Sequence, residues 1–171
     1  IEKFTNLNEP KKKITLYQSL LKKPDRFEFV IEKSVELGVC GIQPIITENV
    51  VNKTTDKAER WQLIAMAAMK QSQRCFLPKI LIPVTFEEAL KNANSELKLI
   101  ADERPHPNAV NAKELLSIHD STDLFIGPEG GFSKEELNIA EEHNFRILNL
   151  GPRKYRSETA AILATGLILS C

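Results

Sequence analysis

Cysteine is scarce in this chain of 171 residues, and the three present, Cys40, Cys75 and Cys171, are odd in number and far apart. No pair has the separation of a metal or redox motif, which argues against a disulfide framework. All three read as small apolar residues of a reducing compartment, so a cytoplasmic protein is expected. His106, His119 and His143 are also isolated, without the helical two-histidine pattern of a metal site, and no metal is expected. Surplus charge is lacking: 23 basic and 23 acidic residues cancel, which excludes a strongly basic nucleic-acid-binding chain but not a local basic patch. There is no apolar run of the roughly 20 residues that spans a membrane, no cleavable signal sequence, no internal repeat and no low-complexity tract. The chain does not begin with Met, so residue 1 is expected to be an internal position of a longer protein.

What is present suits one soluble domain. Hydrophobic residues make up 42% and charged residues 27%, and a chain of this size buries about 70% of its surface on folding without a covalent staple. A short apolar run followed by an amphipathic stretch recurs about six times. Strands are expected at residues 14–21, 41–47, 79–83, 97–102, 123–127 and 145–150. Helices are expected at 25–37, stopped by Gly38, at 56–74, from Thr85 to about Ala93, from Ser133 to about His143, and at 157–169. Thr85 with Glu88 and Ser133 with Glu136 have capping-box spacing. Residues 102–111, with Pro105 and Pro107, read as a loop. Alternating strands and helices predict an α/β domain, and bare apolar strands predict a mostly parallel sheet covered on both faces. The last helix is apolar all round, from Ala160 through Leu169; it is either a central core helix or one that also packs on a second subunit, with Ile168 in the interface.

Two segments have the composition of ligand turns. Ile126–Ser133 (IGPEGGFS) places three glycines between a buried strand and a capped helix, where backbone can approach a ligand closely. It lacks both P-loop and G-x-G-x-x-G spacing, so a nucleotide fold of either kind finds no support; a tight turn without a ligand has the same residues. Leu148–Ala160 (LNLGPRKYRSETA) follows a strand end with Gly151-Pro152, then Arg153, Lys154 and Arg156, then Ser157, Glu158 and Thr159, which can cap and charge the last helix. An ion pair on a solvated loop would use the same side chains, but two such turns on neighbouring strand ends make a pocket. A third stretch, Ala68–Arg74 (AMKQSQR), is locally basic, as are Lys11–Lys13 and Lys22-Lys23; each suits a solvated face or a phosphate contact.

In these motifs the chain resembles the bacterial 16S ribosomal RNA uridine-N3 methyltransferases of the SPOUT class. The resemblance extends upstream to Lys33, Glu36-Leu37-Gly38 and Pro44, and to Arg60-Trp61, Gln71-Ser72 and Arg74, covering nearly the whole chain from Ile14. It implies an α/β domain over residues 14–171 with a C-terminal trefoil knot, preceded by a linker (1–13) from a small β-barrel RNA-binding domain. It also implies a homodimer that binds S-adenosyl-L-methionine and acts on 16S rRNA in the small ribosomal subunit. Carried over by motif, the cofactor loops are Ala101, Asp102 and Glu103; Ile126, Gly127, Pro128, Glu129, Gly130 and Gly131; and Leu148, Leu150, Gly151, Arg153, Tyr155 and Thr159. Gln71, Arg74 and Arg153 are expected at the RNA. Arg156, then Arg74, are the cations expected to favour the uracil anion, and Glu158 is the carboxylate nearest by sequence for proton removal. Lys154-Tyr155 departs from the family's usual aliphatic pair, and Ser157 stands where Thr is usual. A SPOUT methyltransferase acting on transfer RNA, and a catalytically silent RNA-binding or dimerisation module, are the alternative readings.

Overall fold

The computed structural model describes residues 8–51, 57–107, 109–111 and 119–170. Among these residues eight strands form one sheet: β1 (Lys13–Ser19), β2 (Gly41–Ile46), β3 (Lys79–Ile80), β4 (Val84–Thr85), β5 (Leu97–Ala101), β6 (Val110–Asn111), β7 (Ser121–Ile126) and β8 (Arg146–Asn149). Every pairing is parallel, in the order β3-β2-β1-β7-β5-β8-β6, with β4 also on β2. Among the described residues five helices cover the faces: α1 (Pro24–Leu37), α2 (Ala58–Gln71), α3 (Phe86–Asn92), α4 (Lys134–Glu142) and α5 (Ser157–Leu169).

The apolar runs are explained by burial on both sides. Successive strand residues point to opposite faces, and here both faces are dry. Leu16, Leu99, Leu124 and Leu148 join Phe27, Ile31, Val35, Trp61, Ala65, Ala161, Ala164 and Ile168 in one core beneath α1, α2 and α5. Their neighbours Tyr17, Ile100, Phe125 and Ile147 join Phe86, Leu90, Phe132, Leu137 and Phe145 in the other, beneath α3 and α4. Phe125 anchors this second core: its ring stacks on Tyr17 at 4.3 Å and meets Phe145 edge-on at 4.7 Å. Full burial of one such ring contributes about 2–3 kcal/mol.

The strand order positions the site. β7, β5 and β8 are consecutive neighbours, and Ala101 pairs with both Ile126 and Leu148. Three strands therefore end level, and their following loops emerge side by side. Gln18, near the end of β1, pairs with Ile126 and extends that edge.

Both capping boxes form as expected. The Thr85 hydroxyl accepts from the Glu88 amide, the Ser133 hydroxyl from the Glu136 amide, and each glutamate returns to the cap backbone. Four expectations need correction. The run 79–83 is not one strand: Leu81 and Ile82 are exposed between the two short strands β3 and β4, which pair with β2 separately. The segment 102–111 is not all loop, because β6 pairs with β8 at its end. Ser157 does not cap α5; the cap is Arg156 without a side-chain bond, because the Ser157 hydroxyl is engaged elsewhere. Cys75 is exposed rather than a small core residue, and Cys171 lies outside the described residues. Of the segment expected as a linker, residues 1–7 lie outside the described residues, and Glu9 is tied to the domain by Arg74. Among the described residues no helix is long and apolar enough to cross a membrane.

Candidate functional site

The three level loops enclose a cavity of about 390 Å³, within the range of small-ligand sites. The loop after β5 contributes Ala101, Asp102 and Glu103. The loop after β7 contributes Ile126, Gly127, Pro128, Glu129 and Gly131. The loop after β8 contributes Leu150, Gly151, Arg153, Lys154, Tyr155 and Arg156, and α5 adds Ser157 and Ala160. Gly131 (φ 70°) and Gly151 (φ 107°) hold left-handed backbone that other residues rarely adopt. A Cβ on either would meet no atom within 4 Å, so the absent side chains leave open space on the cavity wall. The Gly151 turn is fixed by its own amide, which donates to Asn149 Oδ1 at 2.8 Å.

Buried polar bonds brace the loops against one another. Ser157 is 6% exposed; its hydroxyl donates to the Gly127 carbonyl and accepts from Gln18 Nε2 at 3.0 Å, joining the β7 loop, α5 and β1. Arg104 Nε donates to both oxygens of Asp102, at 3.2 and 3.0 Å, while Nη2 reaches the Phe132 carbonyl at 2.8 Å. It thereby ties the β5 loop to the β7 loop. His106, expected to be isolated, lies with Nε2 2.7 Å from Asp102 Oδ2.

The charge balance at the mouth is positive. Asp102 is held by Arg104 and His106, Glu103 by Lys154 at 2.6 Å, Glu129 by the Lys22 amide at 3.1 Å, and Glu158 by Arg26 at 3.7 Å. Arg153 and Arg156 are exposed and have no side-chain partner among the described residues. Each of these four carboxylates thus faces a positive or N–H group, and the guanidiniums of Arg153 and Arg156 are left facing solvent at the cavity.

Of the residues expected at the cofactor, Gly130, Leu148 and Thr159 do not line the cavity. The outward side of Gly130 faces Asn49, Leu148 is fully buried in the core, and Thr159 is exposed on α5. Glu158 is 9% exposed, beside Arg26 and off the cavity wall. Arg74 lies off the cavity wall: at 7% exposure its Nη1 donates to the carbonyls of Val35 and Val39, at 2.8 and 3.0 Å, and the rest of its fork grips Glu9. Gln71, the last residue of α2, is exposed and lies away from the cavity lining. The sequence reading missed Arg26. Its one signal is local: a cation in the first turn of a helix opposes the helix dipole.

A parallel sheet whose carboxyl edge carries three braced loops around a cavity is an α/β architecture built to hold a ligand, and its structural neighbours are SPOUT-type RNA methyltransferases. The chain belongs to the RNA methyltransferase domain family, whose model matches residues 8–169. It is 41% identical over 170 residues to the ribosomal RNA small subunit methyltransferase E of Mesomycoplasma hyopneumoniae, covering 95% of this chain and 71% of that one. It is 34% identical over 164 residues to the enzyme of the same name from Aquifex aeolicus, covering 94% and 70%. The crystal structure of ribosomal RNA small subunit methyltransferase E from Neisseria gonorrhoeae, bound to S-adenosyl methionine, superposes with a TM-score of 0.87 at 35% identity, covering 95% of this chain and 68% of that one.

Proposed function

We propose that the chain transfers a methyl group from S-adenosylmethionine to N3 of a uridine in small-subunit ribosomal RNA. The observation that carries this reading is the cavity between the three level loops, in a chain similar to enzymes named ribosomal RNA small subunit methyltransferase E and to one such structure holding S-adenosyl methionine. The residues present fit the cofactor. The open Cα faces of Gly131 and Gly151 admit a ligand against backbone, and Ile126, Leu150 and Ala160 offer apolar wall to an adenosine. When bound, the cofactor supplies an electrophilic methyl group.

The chain's own contribution is electrostatic and orientational. The uridine N3–H is a weak acid, so reaction needs its anion. Arg156 stands at the mouth with no side-chain partner among the described residues, where a guanidinium favours that anion. Arg153 offers the same charge to RNA phosphate. Glu158 beside Arg26 is poorly placed as a base, because it does not reach the cavity wall.

A homodimer through α5 belongs to the same reading. Ile162 and Leu163 are half-buried, lie outside both cores of the single chain, and face away from the buried Ala161, Ala164 and Ile168. A cytoplasmic location and a C-terminal knot, with α5 returning from β8 to pack on α1 and β1, complete it. The deciding experiment is transfer of labelled methyl from S-adenosylmethionine to small ribosomal subunits and, in parallel, to transfer RNA, with the product nucleoside identified by mass spectrometry. N3-methyluridine in the ribosomal arm is expected. Label confined to transfer RNA would assign the chain to a different substrate, and label in neither would leave it a binding module.

A further inference from the structure

Arg26 comes from outside the three loops. It is the third residue of α1, where the helix dipole disfavours a cation, and it nevertheless lies on the cavity wall. Residues that break a local rule concentrate at functional sites. Its Nε faces Glu158 Oε1 at 3.7 Å, and its two Nη nitrogens have no hydrogen-bond partner among the described residues. Its side chain is 29% exposed, whereas Arg153 and Arg156 are open to solvent. An exposed guanidinium serves what approaches from outside, and a half-buried one serves what sits within.

We propose that Arg26 is the carboxylate anchor of the site: its Nη fork receives the α-carboxylate of the methionine half of the cofactor, while Glu158 fixes the opposite edge of the guanidinium. This rests on the S-adenosylmethionine reading above. The α-carboxylate is the one full negative charge that cofactor carries, and a planar fork pairs with a carboxylate through two parallel hydrogen bonds. Glu158 then acts by positioning. Its carboxylate is buried at 9% exposure with Oε2 unpartnered, and it orients Arg26 without entering the cavity.

The test is binding calorimetry with two ligands that differ in the predicted contact. S-adenosylhomocysteine retains the α-carboxylate; 5′-methylthioadenosine keeps the adenosine and sulfur and lacks it. Arg26→Ala is expected to weaken S-adenosylhomocysteine by roughly 10- to 100-fold, the range of a charge-assisted pair, and to leave methylthioadenosine unchanged. Arg26→Lys keeps a cation beside Glu158 but loses the fork, so it should recover the fold and only part of the affinity. Equal losses for both ligands in the folded Lys variant would make Arg26 a structural residue and overturn the assignment. Unchanged affinity for both, with methyl transfer impaired, would move Arg26 to the RNA and overturn it as well. If the unaltered protein binds neither ligand, the cofactor reading itself has failed, a result distinct from either.

Discussion

The Ser157 hydroxyl donates to the Gly127 carbonyl across 30 residues of chain, tying the start of the last helix to the turn that follows β7. The same oxygen accepts from Gln18 Nε2, so one small side chain joins three elements at the cavity. Ser157→Ala strips a partner from a buried carbonyl and a buried amide, which costs about 1–3 kcal/mol. A fall in Tm on the order of 5 °C is expected, with weaker S-adenosylmethionine binding by calorimetry. Ser157→Thr keeps the hydroxyl and should keep both. A Ser157→Ala protein with unchanged Tm and affinity would show that the brace does not hold the loop.

That brace marks a limit of what the sequence discloses. The capping hydroxyls of Thr85 and Ser133 are legible because their partners sit three residues away. Ser157 has the same chemistry at a helix start, but its partners lie 30 and 139 residues distant, and only the sheet order brings them together. The two-sided sheet was legible because Leu124 and Phe125, or Ile147 and Leu148, are apolar in succession. β6 was not, because two residues give no periodicity. The glycine turns announced the cavity, whereas Arg26 carries no motif and becomes visible only when α1 packs beside α5.

The glycine turns give a paired prediction. Gly151→Val places a branched side chain at φ 107° on the cavity wall, with backbone strain of about 1–3 kcal/mol and bulk in the ligand's space. S-adenosylmethionine binding should be lost. At Gly130 a Cβ lies 3.1 Å from Asn49 Cβ and off the cavity wall, so Gly130→Ala should leave the affinity unchanged. Loss of binding in the folded Gly130 variant would put that residue back among the cofactor contacts.

Arg156 should act on the methyl acceptor. Arg156→Ala is expected to slow single-turnover methylation by a factor on the order of 10²–10³ while cofactor affinity holds. Lysine restores the charge without the planar fork, so Arg156→Lys should recover part of the rate. A matching fall in cofactor affinity would reassign the residue to cofactor binding.

The dimer prediction must avoid Ile168. That side chain is 0% exposed in the core of a single chain, so Ile168→Asp would bury an unpaired carboxylate and unfold the domain whether or not it dimerises. Leu163 is half-buried on the opposite side of α5. Leu163→Glu should shift the sedimenting species from dimer to folded monomer with circular dichroism unchanged. A parent protein that is monomeric at micromolar concentration would remove the interface altogether.

Arg74 was expected near the RNA, and its placement predicts a different phenotype. Burial on its own would raise the pKa of Glu9, but the Arg74 guanidinium and the amides of Phe76 and Cys75 outweigh it and hold the carboxyl below its ordinary 4.5. A carboxyl whose folded pKa is depressed stabilises the fold fully above the unfolded value, and that stability is lost as pH falls through the folded one. Glu9 should therefore stabilise the domain at neutral pH and progressively less below pH 4.5. Asp123 and Glu136 contribute with the opposite sign, since burial raises both carboxyls and their charged forms strain the fold as pH rises. The contribution of Glu9 is isolated by comparing urea unfolding of the parent and Glu9→Gln across this window. The parent should lose its advantage as the pH drops, and the two curves should converge in acid. At neutral pH, Arg74→Ala removes the guanidinium from Glu9 and from the carbonyls of Val35 and Val39, for a loss on the order of 3 kcal/mol. Its methylation rate per folded molecule should match the parent. A rate loss in fully folded Arg74→Ala protein would return Arg74 to the reaction, whereas a stability loss alone fixes it as the pin that holds the segment at Glu9 against α1.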